Sequence, residues 1–162
     1  MIIDALLQLS GSVVGNTVTG QTIPGGATTT STNVIDLAGV GTGNGARDIG
    51  MGEDLYVEIA VTQTFSIGAS VTVALVMADD AAITTNVVQL SAKGPILSNT
   101  LTAGSLVTLR LERAAPLPPH RYLALQYTVV NGLSSGAVTA CIVRDVQDKG
   151  NNTIFNSGFT VA

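Results

Sequence analysis

The sequence predicts an all-β fold, an antiparallel β-sandwich of the jelly-roll type, on three observations. Apolar and polar residues alternate in several separate segments, the period of strands buried on one face. Clusters of Gly, Pro, Asn and Asp separate those segments and supply turns. No segment carries apolar residues at helical spacing for long enough to make an amphipathic helix.

The elements follow in chain order. Met1 to Leu9 is short and apolar, but it contains Asp4 and has neither a basic start nor a small-residue cleavage pattern, so it does not read as a signal peptide. From Ser10 to Thr32 the chain is Gly, Thr, Ser and Asn with scattered Val, broken by Pro24-Gly25-Gly26. That composition excludes a stable helix. Val13, Val14, Val18 and Ile23 nevertheless make the segment more apolar than a linker needs to be. The expectation is an extended N-terminal arm over residues 1–32 that is ordered by contact with other subunits, followed by a sandwich domain over 33–162.

The first clear strand is Asn33 to Leu37, and the run Gly39 to Gly45 after it could suggest a phosphate cradle. It lacks the GxGxxG spacing and the lysine of a P-loop, and no helix pattern follows, so it reads as a surface loop. Leu55, Val57, Ile59 and Val61 then share one strand face, and Val71, Val73, Leu75 and Met77 share another. A short strand is expected over Val87 to Leu90, ended by a turn at Lys93-Gly94-Pro95. Val107, Leu109 and Leu111 repeat the alternation, as do Leu123, Leu125, Tyr127 and Val129, and the stretch Ala137 to Val143. Only Asp79 to Thr85 suits a helical turn, with Asp80 as its cap. At least six strands with turns between them, in one chain of 162 residues, indicate two packed sheets around a single core.

Charge and composition narrow the function. Charged residues make up 11% of the chain, against roughly 25% in an ordinary soluble domain, so self-repulsion is weak and association is favoured. The seven Lys and Arg residues are scattered and the net charge is -4, which leaves no basic stripe for nucleic acid. No apolar run reaches the roughly 20 residues that span a bilayer, so no membrane partner is expected.

Residues that could carry chemistry are few. A single cysteine, Cys141, cannot form an internal disulfide, and its place in the Ala137, Thr139, Cys141, Val143 row makes it a buried small side chain, in keeping with synthesis in a reducing cytoplasm. His120 is the one histidine and has no second His or Cys with metal-ligand spacing. Glu53-Asp54 and Asp79-Asp80 are adjacent pairs whose side chains diverge on a strand and which suit solvated turns, although a loop at Asp79-Asp80 could wrap calcium. Asn151-Asn152-Thr153 matches a glycosylation acceptor only formally. Tyr56, Tyr122 and Tyr127 are the only candidates for a sugar-stacking platform, and packing explains them better. The reading is therefore of no enzyme, no catalytic residue, no metal and no cofactor. The candidate interface residues are Val13, Val14, Val18, Ile23, Arg47 and Asp48.

Several segments, in order, resemble the capsid cement or decoration proteins of tailed bacteriophages, in the group that includes the cement protein of a Bordetella phage. They are Ser31 to Leu37, Arg47-Asp48-Ile49-Gly50-Met51-Gly52, Val57 to Phe65, Val71 to Leu75, Ala78 to Ala82, Leu101 to Gly104, Arg121 to Tyr127 and Ser135 to Ala140. The Thr/Gly-rich leader and the tail beyond Asp145 depart from that pattern. The resemblance implies a jelly roll on the outer surface of a virion capsid. Its partners would be the major capsid protein and further copies of itself, as a dimer or a trimer. The competing reading is a carbohydrate- or receptor-binding sandwich from a tail fibre, which would show tyrosines and carboxylates clustered on one open face. A hydrolase would need a convergent acid, base and nucleophile that the sequence does not offer.

Overall fold

The structure, a computed structural model, describes residues 5–14, 17–37, 55–66, 69–111, 120–132, 135–144 and 146. Twelve strands occur among them: β1 (Gln8–Ser10), β2 (Ser12–Val14), β3 (Thr17–Thr19), β4 (Gln21–Thr22), β5 (Thr28–Thr30), β6 (Ile35–Asp36), β7 (Leu55–Gln63), β8 (Ser70–Ala78), β9 (Val88–Leu97), β10 (Leu106–Leu111), β11 (Tyr122–Val130) and β12 (Ala137–Val143). Two single 3-10 turns, Ala5–Leu7 and Ser98–Thr100, are the only helical segments among the described residues.

The strands form two five-stranded antiparallel sheets. One has the order β1-β12-β7-β10, with β4 also on β12, and the other has β5-β11-β8-β9, with β6 also on β11. β1 and β4 follow one line along β12, where Gln8 and Ser10 oppose Cys141 and Ala140, and Gln21 and Thr22 oppose Val138 and Ala137. They are one edge strand interrupted by an excursion. β5 and β6 likewise share β11. With each pair counted as one position, and β7 to β12 as the third to eighth, the sheet orders become 1-8-3-6 and 2-7-4-5, the jelly-roll connectivity.

The alternation read from the sequence fills the core. Val57, Ile59 and Val61 from β7, Val71, Val73 and Leu75 from β8, Val107 and Leu109 from β10, Leu123, Leu125, Tyr127 and Val129 from β11, and Val138, Ala140 and Ile142 from β12 form one buried cluster. Leu9 and Ile23 belong to the same cluster, at 0% and 1% exposure. The arm expected over residues 1–32 is corrected at this point: β1, β4 and β5 lie within the two sheets, and Ile23 is a core residue of its own chain instead of an interface residue. The physical reason is that the core between β11 and β12 has an open side, and the apolar Leu9 and Ile23 close it.

Polar groups tie that side shut. The Asn33 backbone N–H donates to the Leu9 carbonyl at 2.8 Å, and its side-chain amide donates to the Gln8 carbonyl at 3.2 Å. The Gln21 amide donates to the Thr30 carbonyl at 2.8 Å and accepts from the Thr32 N–H at 2.9 Å, so one side chain bridges the edges of both sheets. Inside the sandwich the Ser10 and Tyr127 hydroxyls hydrogen-bond at 2.7 Å, joining β1 of one sheet to β11 of the other. On the opposite side, Lys93 reaches the Thr108 carbonyl at 3.5 Å.

Two further local expectations change. Lys93-Gly94-Pro95 is not a turn but the middle of β9, which runs ten residues. β9 is an edge strand, where a proline's missing N–H can face solvent, and its register on β8 shifts twice along its length. Asp79 to Thr85 forms no helix, because Ile83 takes a left-handed backbone with φ of 55°. Ile83 instead packs on Val76, Ala78 and Ala124, a small second cluster on the outer side of the β8 sheet.

Candidate interaction surface

The excursion between β1 and β4 is the β2–β3 hairpin, which pairs with no other strand among the described residues. Its register sets Ser12 opposite Thr19, Val13 opposite Val18 and Val14 opposite Thr17. Neighbouring residues on a strand face opposite ways, so Val14 and Val18 lie on opposite faces of the ribbon. Val14 is 75% exposed and Val18 is 55% exposed. Glycines root the hairpin on the sandwich. A Cβ at Gly11, which has φ of 77°, would lie 2.6 Å from the Thr19 carbonyl and 2.8 Å from the Thr139 methyl, and one at Gly20 would strike the Thr62 hydroxyl.

Of the interface residues expected from the sequence, Val14 and Val18 are thus at the surface and Ile23 is buried. For Val13 only the strand register is described. Arg47 and Asp48 lie outside the described residues, as do the Gly39 to Gly45 run, the Glu53-Asp54 pair and Asn151-Asn152-Thr153.

A second surface is the outer face of the β5-β11-β8-β9 sheet. Pairing aligns Thr30, Gln126, Ala74 and Ala92 in one row, Thr28, Thr128 and Thr72 in the next, and Val130, Ser70 and Leu97 in a third. No charged side chain occurs in these rows, and Val130 and Leu97 are 56% and 62% exposed. The sequence held part of this signal: Val130 follows the inward Leu123 to Val129 row by one residue and must face out. Leu97 was hidden, since β9 seemed to end before Lys93.

Charge gathers instead around the start of β11. Arg121 donates to both Asp36 oxygens, from Nε at 2.9 Å and from a terminal nitrogen at 2.7 Å, and its guanidinium lies 5.0 Å from the centre of the Tyr122 ring. This pairing was invisible in a sequence where the two residues stand 85 apart. His120 is buried, with Nδ1 2.7 Å from Asp79 Oδ1, and its Nε2 has no hydrogen-bond partner among the described residues. The other Asp79 oxygen accepts from the Asn86 amide at 2.7 Å. The Asn86 bond, with His120 second, holds the Asp79 carboxyl below its ordinary range. Asp80 accepts from the Thr85 and Thr84 N–H groups at 2.6 and 3.0 Å and from the Thr84 hydroxyl at 2.9 Å. Those bonds, the Thr85 N–H foremost, lower its carboxyl to about 2. Asp80 is turned onto its own loop, and Asp79 divides its two oxygens between that loop and His120. Among the described residues no group of three His, Cys, Asp or Glu side chains is placed to hold a metal.

The tyrosines do not assemble a stacking platform. Tyr127 is in the core, where burial pushes its hydroxyl well above the ordinary value, and Tyr122 lies beneath Arg121. Cys141 is buried in the row away from the main core, and burial together with the Glu58 carboxylate opposite pushes its thiol up. No helix among the described residues is long and apolar enough to cross a membrane.

Fold and surface together define a jelly-roll β-sandwich whose own side chains close one seam, and which exposes three uncharged rows on one sheet face and an apolar hairpin. The chain belongs to the Bbp16 family, a Bordetella phage protein family, whose model matches residues 18–142. The match runs from β3 to β12 and so takes in both sheets apart from β1. A comparison with curated proteins gives no match.

Proposed function

We propose that this protein is a capsid cement protein, which binds the outer surface of a phage head and stabilises the shell. Membership of a phage protein family is the observation that carries the reading. Two features of the surface support it. Much of the exposed sheet face is free of charge, so it can be covered by another protein without stripping water from ions. The hairpin holds Val14 and Val18 in water although both are apolar, which favours a site where another protein shields them. In this reading the major capsid protein is the partner and no chemistry is required of the decoration. Many copies, each adding about RT ln(1 + [L]/Kd) to the stability of the assembled shell, resist internal pressure together. The receptor-binding alternative draws no support from the tyrosines, two of which are occupied within the chain.

The test is made on heads lacking the protein. They should assemble with normal geometry but release DNA at a lower temperature than decorated heads, and adding purified protein should restore the difference. Equal heat resistance with and without it would refute the cement reading.

A further inference from the structure

At the end of β11 the chain carries the dipeptide Asn131-Gly132. β11 and β12 belong to different sheets, so the backbone must turn there to cross between them. It turns at Asn131, whose φ of 69° is a left-handed conformation that Asn accepts more readily than most side chains. Both residues are exposed. No hydrogen bond among the described residues engages the Gly132 N–H, and a Cβ built on Gly132 meets no atom within 4 Å.

The residue after an asparagine decides whether its side chain can react with its own backbone. Cγ closes a five-membered ring with the following nitrogen, and a side chain on that following residue crowds the approach. The other described asparagines are guarded in two ways. Asn33 and Asn86 precede the β-branched Val34 and Val87, and their amides donate to the Gln8 carbonyl and to the Asp79 carboxylate. Asn99 precedes Thr100 and is held in the Ser98–Thr100 turn. Asn131 alone among them has a glycine after it.

We propose that Asn131 is a self-modification site, at which the uncharged sheet face acquires a carboxylate without an enzyme. The Gly132 nitrogen loses its proton to water and attacks Cγ of Asn131. The new N–Cγ bond closes a succinimide, and the Cγ–Nδ2 bond breaks as ammonia leaves with a proton taken from water. A second water then opens the ring. Attack at Cγ restores the backbone and leaves aspartate, whereas attack at the Asn131 backbone carbonyl carbon leaves isoaspartate, with the chain routed through Cβ and Cγ. The sum is one water consumed and one ammonia released, with no change of oxidation state. Either product sets a negative charge next to Val130, at the end of the Val130, Ser70 and Leu97 row, which carries none. A partner covering that row would then have to strip water from a carboxylate. The extra backbone atom of isoaspartate falls between β11 and β12, outside both strands, so the core is kept.

The test uses the purified full chain and needs no capsid. Held folded in mildly alkaline buffer, it should accumulate a species more acidic by one charge on ion exchange. Trypsin leaves Asn131 as the sole asparagine of the Tyr122–Arg144 peptide, which should carry the amide-to-acid mass change and accept label from an isoaspartate methyltransferase. The peptides that hold Asn86 and Asn99 should stay unchanged, and Asn44-Gly45 is read separately in the Met1–Arg47 peptide. Gly132→Ala is the deciding variant. The added Cβ meets open space, so the fold is retained, but the methyl crowds the nitrogen and modification of this peptide should slow about tenfold or more. Asn131→Gln, which would need a six-membered ring, should slow it as well. A Tyr122–Arg144 peptide that stays unchanged in the folded chain while the same chain in urea is modified would overturn the inference, since the fold would then shield the site. So would modification as fast in Gly132→Ala as in the wild type, or an acidic species that maps only to other peptides. None of these outcomes bears on the heat resistance of the heads.

Discussion

Leu9 and Ile23 differ from Val14 and Val18 in one respect that decides everything about them, although all four are apolar residues of the first 32 positions. The first two stand where the chain runs along β12 and points into the sandwich, and they are fully buried. The second two stand where it leaves β12, and they face water. Composition is the same in both, and neither pair is charged. The lesson is that apolar character in an edge segment becomes core or exposed surface according to whether the backbone beneath it is paired to its own sheet.

The comparison can be broken most sharply at Ile23. Ile23→Ala should cost about 2–5 kcal/mol in urea unfolding, as buried isoleucines do, and a cost near zero would return the segment to the status of a free arm. The Ser10 and Tyr127 hydroxyls test the same side of the sandwich through polarity. Tyr127→Phe leaves the fully buried Ser10 hydroxyl without its partner and should cost about 1–3 kcal/mol, whereas adding Ser10→Ala to it should cost less than the sum of the two single changes.

A third region sharpens the contrast by depending on local carboxylates instead of burial. The Asp80 carboxyl titrates at about 2 in the folded chain against an ordinary 3.8, and the Asp79 carboxyl is lowered as well. A depressed carboxyl stabilises the fold above its unfolded value and loses that contribution as pH falls through the folded one. Protection of the Thr84 and Thr85 amides from exchange should therefore be full above pH 4 and decline towards pH 2, and Asp80→Asn should abolish the acid-dependent step. The smallest effect belongs to the hairpin. In a dilute monomer, Val14→Ala should change unfolding free energy by no more than about 0.5 kcal/mol, and a core-sized loss would mean that the ribbon is packed after all.

Much of the fold was legible because alternation is a local property. Leu123, Leu125, Tyr127 and Val129 must share a face whatever they pair with, so the long strands and their core rows could be read directly, as could the two-sheet class. That Val14 and Val18 stand at the surface is a finding of the structure, because the same kind of apolar residue a few positions on, Ile23, is buried. What the tertiary structure alone decided is non-local. It joined β1 to β4 across a hairpin and so took Ile23 into the core, paired Asp36 with Arg121, and drew Lys93-Gly94-Pro95 into an edge strand where a proline is tolerated. A strand's period is set by its own backbone, whereas its partner is set by which open edge of the core still has apolar surface to cover, and no short stretch of sequence carries that information.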